Sequence, residues 1–407
     1  MNGRMGAGQG TAMLLGGVLG PGMLVLPQLA AAAAGPASVL AWAGLLALSV
    51  PVALTFAALG ARHPDGGGVA AFAARTFGPR WAAMTGWWFY GAVPLGTVAA
   101  ALVGGGYVAD AFGVDRMAAA AALLAAAFLA NAAGLRTSGR LQLALLGGLV
   151  ALLAAAVVTA APHAEATSFT PFAPYGAAGV ASAAGVLLFA FVGWEAASHL
   201  SAEFADRRGL VRATAVALVV IIVLYLGVCL TTIGVLGDRA GTTAVPLAAL
   251  LEIGFGPGAR PVTGAVAVLL TFGAINTYIA GASRLGAAMA RTGALPGWFA
   301  SGGEPGRTPL RSLALLAALS VPVLFLAGDL DVLMRATAAC LAAVTTVGVA
   351  AAVRLLPAGR QRAIAVAATA LSAVSLAFCG FYLLVPATLG LLATVLVVEL
   401  PRRPLSR

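Results

Sequence analysis

Apolar residues run along this chain in blocks of about 18 or more, separated by short polar interruptions, and each block is long enough for a helix to cross a hydrocarbon core of roughly 30 Å. The blocks predict helices at 11–33, 38–60, 82–111, 117–135, 140–161, 181–203, 210–236, 260–285, 311–328, 332–356, 361–379 and 383–400. Twelve spans leave little chain for a water-soluble domain, so the pattern predicts an all-α integral membrane protein.

Two blocks carry residues that interrupt a helix. Span 1 reads LLGGVLGPGMLVLP, where Gly20, Pro21 and Gly22 remove one amide donor and the side-chain support around it. Span 6 has Gly193 just ahead of Trp194 and Glu195. Either break alone would serve as a kink or a close-packing point. Spans 1 and 6, however, open two five-helix blocks of similar length. Interrupted helices at corresponding positions of two halves point to an inverted repeat with a binding site near the membrane midplane. The predicted organisation is a first half at 1–161, a second at 162–356, and a last pair of spans with a tail at 357–407.

Composition strengthens this picture: of 407 residues 61% are hydrophobic and 9% charged, a balance foreign to soluble domains of that size. The formal net charge of +10 comes from 23 basic residues against 13 acidic ones, and every basic residue is Arg. These arginines occupy short loops between apolar blocks, which marks membrane topology and argues against a nucleic-acid partner. With the N-terminus inside, nineteen arginines fall on the cytoplasmic side, and only Arg116, Arg239, Arg260 and Arg335 fall opposite. That bias predicts a multi-pass membrane protein with both termini in the cytoplasm. Arg4 ahead of an apolar run ending in AAAAG has the outline of a signal peptide, but the Gly-Pro-Gly break and the next span following at once favour a retained first helix. Cys229, Cys340 and Cys379 lie in apolar blocks and read as packing residues, neither disulfide-forming nor metal-binding.

The stretch FAFVGWEAASHLSAEF at 189–204 adds candidate chemistry, because Glu195, His199 and Glu203 are spaced to share one helical face. An ionisable group at membrane depth is a functional hypothesis by default, since an unpaired charge there costs roughly 2.5 kcal/mol or more. Glu195 is the deepest and could take and release a proton. His199 could relay it, or could equally be a packed neutral imidazole bonded to a carbonyl. Glu203 lies near water, where it can pair with a loop arginine such as Arg207. A metal site would need a further ligand, and His63 and His163 sit in loops on opposite sides of the membrane, so neither a metal nor a cofactor is expected. Asn276, Thr277, Tyr278, Thr345 and Thr346 could line a site or form interhelical hydrogen bonds.

Four stretches together resemble the amino acid/polyamine/organocation transporter superfamily, over nearly the whole chain: GVLGPGMLVLP at 17–27, HPDGGGVAAFAARTFGPRWAAMTGW at 63–87, the span 6 stretch, and ASRLGAAMARTGALPGWFA at 282–300. The first is similar to the superfamily's G-x-x-G-x-G-I-x-x-x-P signature, and the last to its S-R-x-x-x-A-M-A-R-x-G-x-L-P exit of the eighth helix. GWEAASHLSAEF looks most like the bacterial branch of methionine and branched-chain amino acid exporters. The resemblance implies a LeuT-type 5+5 inverted repeat of about 12 transmembrane helices, with helices 1 and 6 discontinuous and substrate held between them, lined by spans 3, 8 and 10. Matched residue by residue, it implies that Gly20, Pro21 and Gly22 meet a substrate carboxylate. It likewise makes Phe189 an aromatic gate, and Phe191, Val192 and Gly193 the carbonyl-bearing segment for an α-amino group. Half-helix ends suit a zwitterion on physical grounds too, because free amides and free carbonyls attract opposite charges. The chain departs from the pattern in two places. Pro21 stands where the superfamily has Ser, and LQLALLGGLVALL at 141–153 lacks the basic residue some members carry on helix 5.

These readings converge on a secondary transporter for neutral, largely apolar L-amino acids of the methionine, leucine, isoleucine and valine class, working as a proton-coupled exporter or exchanger by alternating access. The expected substrate-binding residues are Gly20, Pro21, Gly22, Phe189, Phe191, Val192, Gly193, Asn276 and Tyr278, with Trp87, Trp88 and Tyr90 of span 3 near them, and Glu195 and His199 couple the proton. Besides that substrate and the proton, the expected partner is the lipid bilayer; nothing in the pattern fixes an oligomeric state. The alternatives are an uptake permease of the same fold for another amino acid or a polyamine, a membrane-embedded enzyme, and a channel. Asp329 and Asp331 form the only close acid pair in a loop between spans, and no G-x-x-x-x-G-K-[ST] stretch is present for an ATP-driven cycle.

Overall fold

The structure, a computed structural model, describes residues 7–63, 68–134, 139–191, 193–195, 197, 204, 207–303, 307–326 and 329–397. Its described regular structure is helical. Span 1 is made of α1 (Ala7–Val18) and α2 (Leu26–Ala34), joined through a 3-10 turn at Pro21–Leu24. There follow α3 (Ser38–Arg62), α4 (Gly68–Phe77), α5 (Pro79–Phe112), α6 (Arg116–Ala132), α7 (Gly139–Ala160) and α8 (Gly176–Phe191). After span 6 come α9 (Arg207–Leu236), α10 (Pro246–Phe255), α11 (Ala259–Arg291), α12 (Leu310–Leu326), α13 (Leu330–Leu355), α14 (Arg360–Ala377) and α15 (Leu384–Val397).

Among the described residues, six stretches are long and apolar enough by themselves to cross a bilayer: Leu26–Arg62, Pro79–Phe112, Leu141–His163, Arg208–Arg239, Ala259–Arg291 and Leu330–Leu355. The first of these is interrupted at Gly35, whose φ of 60° turns the chain between α2 and α3. Shorter apolar helices accompany them, including α6, α8 and α12, and α14 meets the helix beyond Gly380 at a bend of 113°. Together they make a multi-pass membrane protein. Two short helices, α4 and α10, fall in segments that the apolar pattern leaves as loops. Each has ten residues and so spans only about 15 Å, too short to cross by itself.

Local signals explain the boundaries. Gly113 in the left-handed region closes α5, its amide donating to the Ala109 carbonyl. Asp115 then caps α6 by accepting from the Ala118 amide at 2.8 Å. Asp329 caps α13 in the same way through the Asp331 amide at 2.9 Å, and Asp331 pairs with Arg335 at 2.6 Å. The acid pair in that loop therefore builds a helix start. Two further arginines predicted opposite the N-terminal side are also tied down: Arg260 to Asp110 at 2.8 Å and Glu252 at 2.6 Å, and Arg116 to the Leu102 carbonyl at 3.3 Å.

α5 lies at the centre, packed on α6, α11 and α13. Small residues let these backbones close up, since lipid supplies no hydrophobic force to hold helices together. A Cβ on Gly105 would collide with the Arg116 carbonyl, and one on Gly264 would crowd the Tyr107 carbonyl at 3.1 Å. Trp42, Phe56, Phe72, Tyr107, Trp194 and Tyr225 are fully buried in the resulting core, and the three cysteines are free and buried within it.

Candidate functional site

The interruption of span 1 begins at Gly20, which is extended at φ −105° and ψ 175°. The Leu19 amide still bonds back to Leu15 at 2.7 Å, Pro21 starts the 3-10 turn, and the Met23 amide returns to the Gly20 carbonyl at 3.2 Å. Breaking a helix at membrane depth frees carbonyls that water cannot satisfy, and each orphan costs several kcal/mol. Here two buried tyrosines supply the missing donors. The Tyr225 hydroxyl of α9 donates to the Val18 carbonyl at 3.2 Å, and the Tyr107 hydroxyl of α5 donates to the Leu24 carbonyl at 2.7 Å. On the donor side, Pro21 has no amide, and the Gly22 amide lies in a first turn, where no intrahelical acceptor is within reach.

Span 6 is interrupted differently. α8 stops at Phe191, and Gly193 has φ +116°, a conformation that side chains other than hydrogen rarely adopt. Glu195 is buried at 6% exposure and accepts the Gly193 amide at 3.0 Å, so its carboxylate folds back onto the turn that places it. The two interruptions touch. A Cβ on Gly193 would collide with the Gly17 carbonyl and stand 2.9 Å from the Val18 Cα, while a Cβ on Gly22 would meet the Phe189 ring at 2.8 Å.

Two cavities adjoin this junction. The smaller, of about 50 Å³, is enclosed by Gly20, Pro21 and Gly22 of span 1, Phe189 of α8, Tyr225 of α9, Tyr278 of α11, Thr337 and Leu341 of α13, and one face of α5. That face consists of Phe89, Ala92, Val93, Gly96, Thr97 and Ala100, a helical stripe of mostly small side chains. The larger cavity, of about 340 Å³, starts from the same Gly20, Pro21, Phe89, Tyr278 and Leu341. It runs past Gly193 and Glu195, along Met13 and Gly16 of α1, to Gln142 near the start of α7. A few waters would fill the smaller one, whereas the larger reaches the range of small-molecule pockets, about 300–1,000 Å³. The Thr97 and Thr337 hydroxyls are spent on the Val93 and Leu333 carbonyls of their own helices at 2.7 and 2.8 Å. The walls are accordingly mostly apolar, and the polar groups at the junction are those of the interrupted backbones, Glu195 and the Tyr278 hydroxyl.

Of the residues expected to bind substrate, Gly20, Pro21, Gly22, Phe189 and Tyr278 meet on the smaller cavity and Gly193 on the larger, where Glu195, expected to couple the proton, also lies. Phe191 is buried at the end of α8 and lines neither. Asn276 requires a correction: its side chain faces α6, where its Oδ1 accepts from Asn131 at 2.7 Å, one helical step away from the cavity face that holds Ile275 and Tyr278. Val192, His199 and Glu203 lie outside the described residues. On span 3, Trp87, Trp88 and Tyr90 turn away from the cavity and donate to the carbonyls of Ala294, Pro386 and Ser312. Thr346 bonds within α13, and Thr345 is buried away from both cavities. Among the described residues no group of three His, Cys, Asp or Glu could hold a metal ion.

The pattern of the sequence did not single out Tyr107, Tyr225 or the small-residue stripe of α5. The stripe was detectable, since positions 89, 92, 93, 96, 97 and 100 recur at helical spacing with Gly and Ala among them. The tyrosines were not, because a lone Tyr in an apolar block has no partner visible in one dimension.

Comparison with known proteins places this geometry in a family. The profile of the family described as Amino acid permease matches residues 9–397. An uncharacterized amino acid permease of Bacillus subtilis, YecA, is 33% identical over 393 residues, covering 94% of this chain and 92% of its own. The L-methionine/branched-chain amino acid exporter YjeH of Escherichia coli is 32% identical over 288 residues, 69% of this chain and 68% of its own. An uncharacterized transporter of Mycobacterium tuberculosis is 29% identical over 320 residues, 78% of this chain and 72% of its own. The chain belongs to the amino acid permease family, within the amino acid/polyamine/organocation superfamily.

Proposed function

We propose that this amino acid permease carries neutral, largely apolar L-amino acids across a bacterial cytoplasmic membrane as a proton-coupled exporter or exchanger. The observation that carries the reading is the junction itself. Two interrupted helices meet at Gly193 against Gly17 and Gly22 against Phe189, beside walls that are apolar. A zwitterion can be held there by peptide groups alone, its carboxylate toward the Gly22 amide and its ammonium toward the carbonyls that end α8. Its side chain would then meet Phe89, Val93, Phe189 and Ile275. A cationic side chain would find no carboxylate in the smaller cavity, and burying it unpaired is prohibitive. The similarity to a protein named as a methionine and branched-chain amino acid exporter supports the same substrate class.

The shorter helices fit a count of twelve spans in two halves, 1–161 and 162–356, with both termini on the arginine-rich side. In that arrangement the larger cavity faces the cytoplasm and the smaller one is the substrate chamber, closed down. Alternating access moves the span 6 side of the junction against the rest. Glu195 gives this movement a handle on the proton. It borders the larger cavity and holds the span 6 turn through a charge-assisted bond to Gly193, which weakens when the carboxylate takes a proton.

The test is counterflow of radiolabelled methionine in proteoliposomes, with and without an imposed pH gradient. Leucine, isoleucine and valine should compete with one another and with methionine within about a hundredfold, because each methylene is worth only about 1–3 kcal/mol. Arginine, lysine and glutamate should be inert. Tight binding of arginine or a polyamine would favour an uptake permease for amines, and the absence of counterflow for every amino acid tried would remove the transporter reading.

A further inference from the structure

A third cavity, of about 590 Å³, lies away from the junction, where the end of α3 meets the starts of α9 and α14. Four arginines, Arg62, Arg208, Arg212 and Arg360, line it together, and no acidic residue does among the described residues. All four are exposed. The Arg62 Nε donates to the Gln361 Oε1 at 3.0 Å, which holds its guanidinium at the groove. Two helices of 30 and 18 residues begin here, and the start of α14 at Gly359 has no side-chain cap, so its positive end adds to the field.

Below the arginines the lining changes character. Leu54 and Ala57 of α3 and Ile364 of α14 make an apolar wall that descends into the membrane-spanning part of the same helices, with Val211 of α9 between its two arginines. A cationic rim over an oily trough is the inverse image of one membrane component, a phosphate ester joined to an acyl chain. Guanidinium groups match phosphate oxygens in a bidentate fashion, and four of them at close quarters repel one another unless an anion lies between them. A soluble anion would leave the trough uncovered, and a zwitterionic lipid would bring its own cation into the cluster.

We propose that this groove is a binding site for an anionic glycerophospholipid, its phosphate on the four arginines and an acyl chain against α3 and α14. The site tethers α14 to the helices that flank the interrupted spans, because α3 packs on both α8 and α9.

The experiment uses the full chain, delipidated in detergent. Dioleoyl phosphatidylglycerol, dioleoyl phosphatidylcholine and inorganic phosphate are added separately, with retained lipid read by native mass spectrometry and stability by thermal melting. Phosphatidylglycerol should bind saturably and raise the melting temperature, phosphatidylcholine should bind at least tenfold more weakly, and phosphate should shift nothing. The R208Q/R212Q double variant should weaken phosphatidylglycerol at least tenfold, while R80Q/R284Q, which removes two exposed arginines from outside the groove, should leave it unchanged. Equal binding of both lipids, a full shift from phosphate alone, or equal losses in the two double variants would each overturn the proposal. If R208Q/R212Q does not fold, the contrast between the two lipids on the unaltered chain decides.

Discussion

The two interrupted spans solve one problem by opposite means. In span 1 the carbonyls freed by the break are capped from outside, by Tyr225 of α9 and Tyr107 of α5. In span 6 the turn is held from within, by the carboxylate of Glu195 two residues beyond the amide it accepts. Donors fixed on two other helices make the first break part of a rigid frame. A carboxylate that can be protonated, bordering the larger cavity, makes the second one adjustable. Under the proposed function, span 1 would present a constant set of peptide groups to the substrate, while span 6 would change its hold during the cycle.

The most severe test of this contrast is Gly193→Ala. Its φ of +116° already costs a side chain about 1–3 kcal/mol, and the added carbon meets backbone, which cannot rotate away. Loss of monodisperse protein or of all transport is expected; normal transport would show that the two spans do not press together at this point. Gly22→Val should be less damaging to the fold, since the obstacle is the Phe189 ring. Insertion should persist while substrate affinity falls at least tenfold, and adding Phe189→Ala should restore part of it. Unchanged affinity in the single variant returns Gly20 to Gly22 to the status of a kink.

Smaller effects discriminate more finely. Tyr107→Phe leaves the Leu24 carbonyl without its buried donor, a loss of about 1–3 kcal/mol, and Tyr225→Phe should cost less because its bond is longer, 3.2 Å against 2.7 Å. Thermal melting of the two variants gives the order, and a reversed order would contradict the rigid-frame reading. Glu195→Gln should change stability least, under about 1 kcal/mol, because the amide oxygen can still accept from Gly193. The same variant should flatten the pH dependence of transport. A pH profile identical to that of the parent would leave Glu195 with the turn alone as its task.

Much of the candidate site is legible in the sequence. Gly20, Pro21, Gly22 and Gly193 stand out because interruption is a local property: a missing amide and a missing Cβ act where they occur. Glu195 stands out because a carboxylate in an apolar block is costly wherever it sits. Asn276 misled for a related reason. Polarity at membrane depth announces that a partner exists, and here that partner is Asn131, a neighbour on α6 instead of a ligand. Trp87, Trp88 and Tyr90 likewise carry polar tips that one-dimensional reading assigns to a cavity, while each is claimed by a carbonyl of another segment.

The sequence by itself determined that the chain is a multi-pass helical membrane protein and where its first and sixth apolar blocks break, because burial in lipid and loss of a peptide hydrogen bond are each set by residues near one another along the chain. Which helix answers each break was decided only in three dimensions. The tyrosine that caps Leu24 lies 83 residues away and the one that caps Val18 lies 207 away, the collision that demands glycine at 193 comes from Gly17, and four arginines from three separate helices become one groove. A hydrogen bond or a van der Waals contact reaches only a few ångströms, so nothing in the order of residues fixes such pairs until packing has chosen the neighbours.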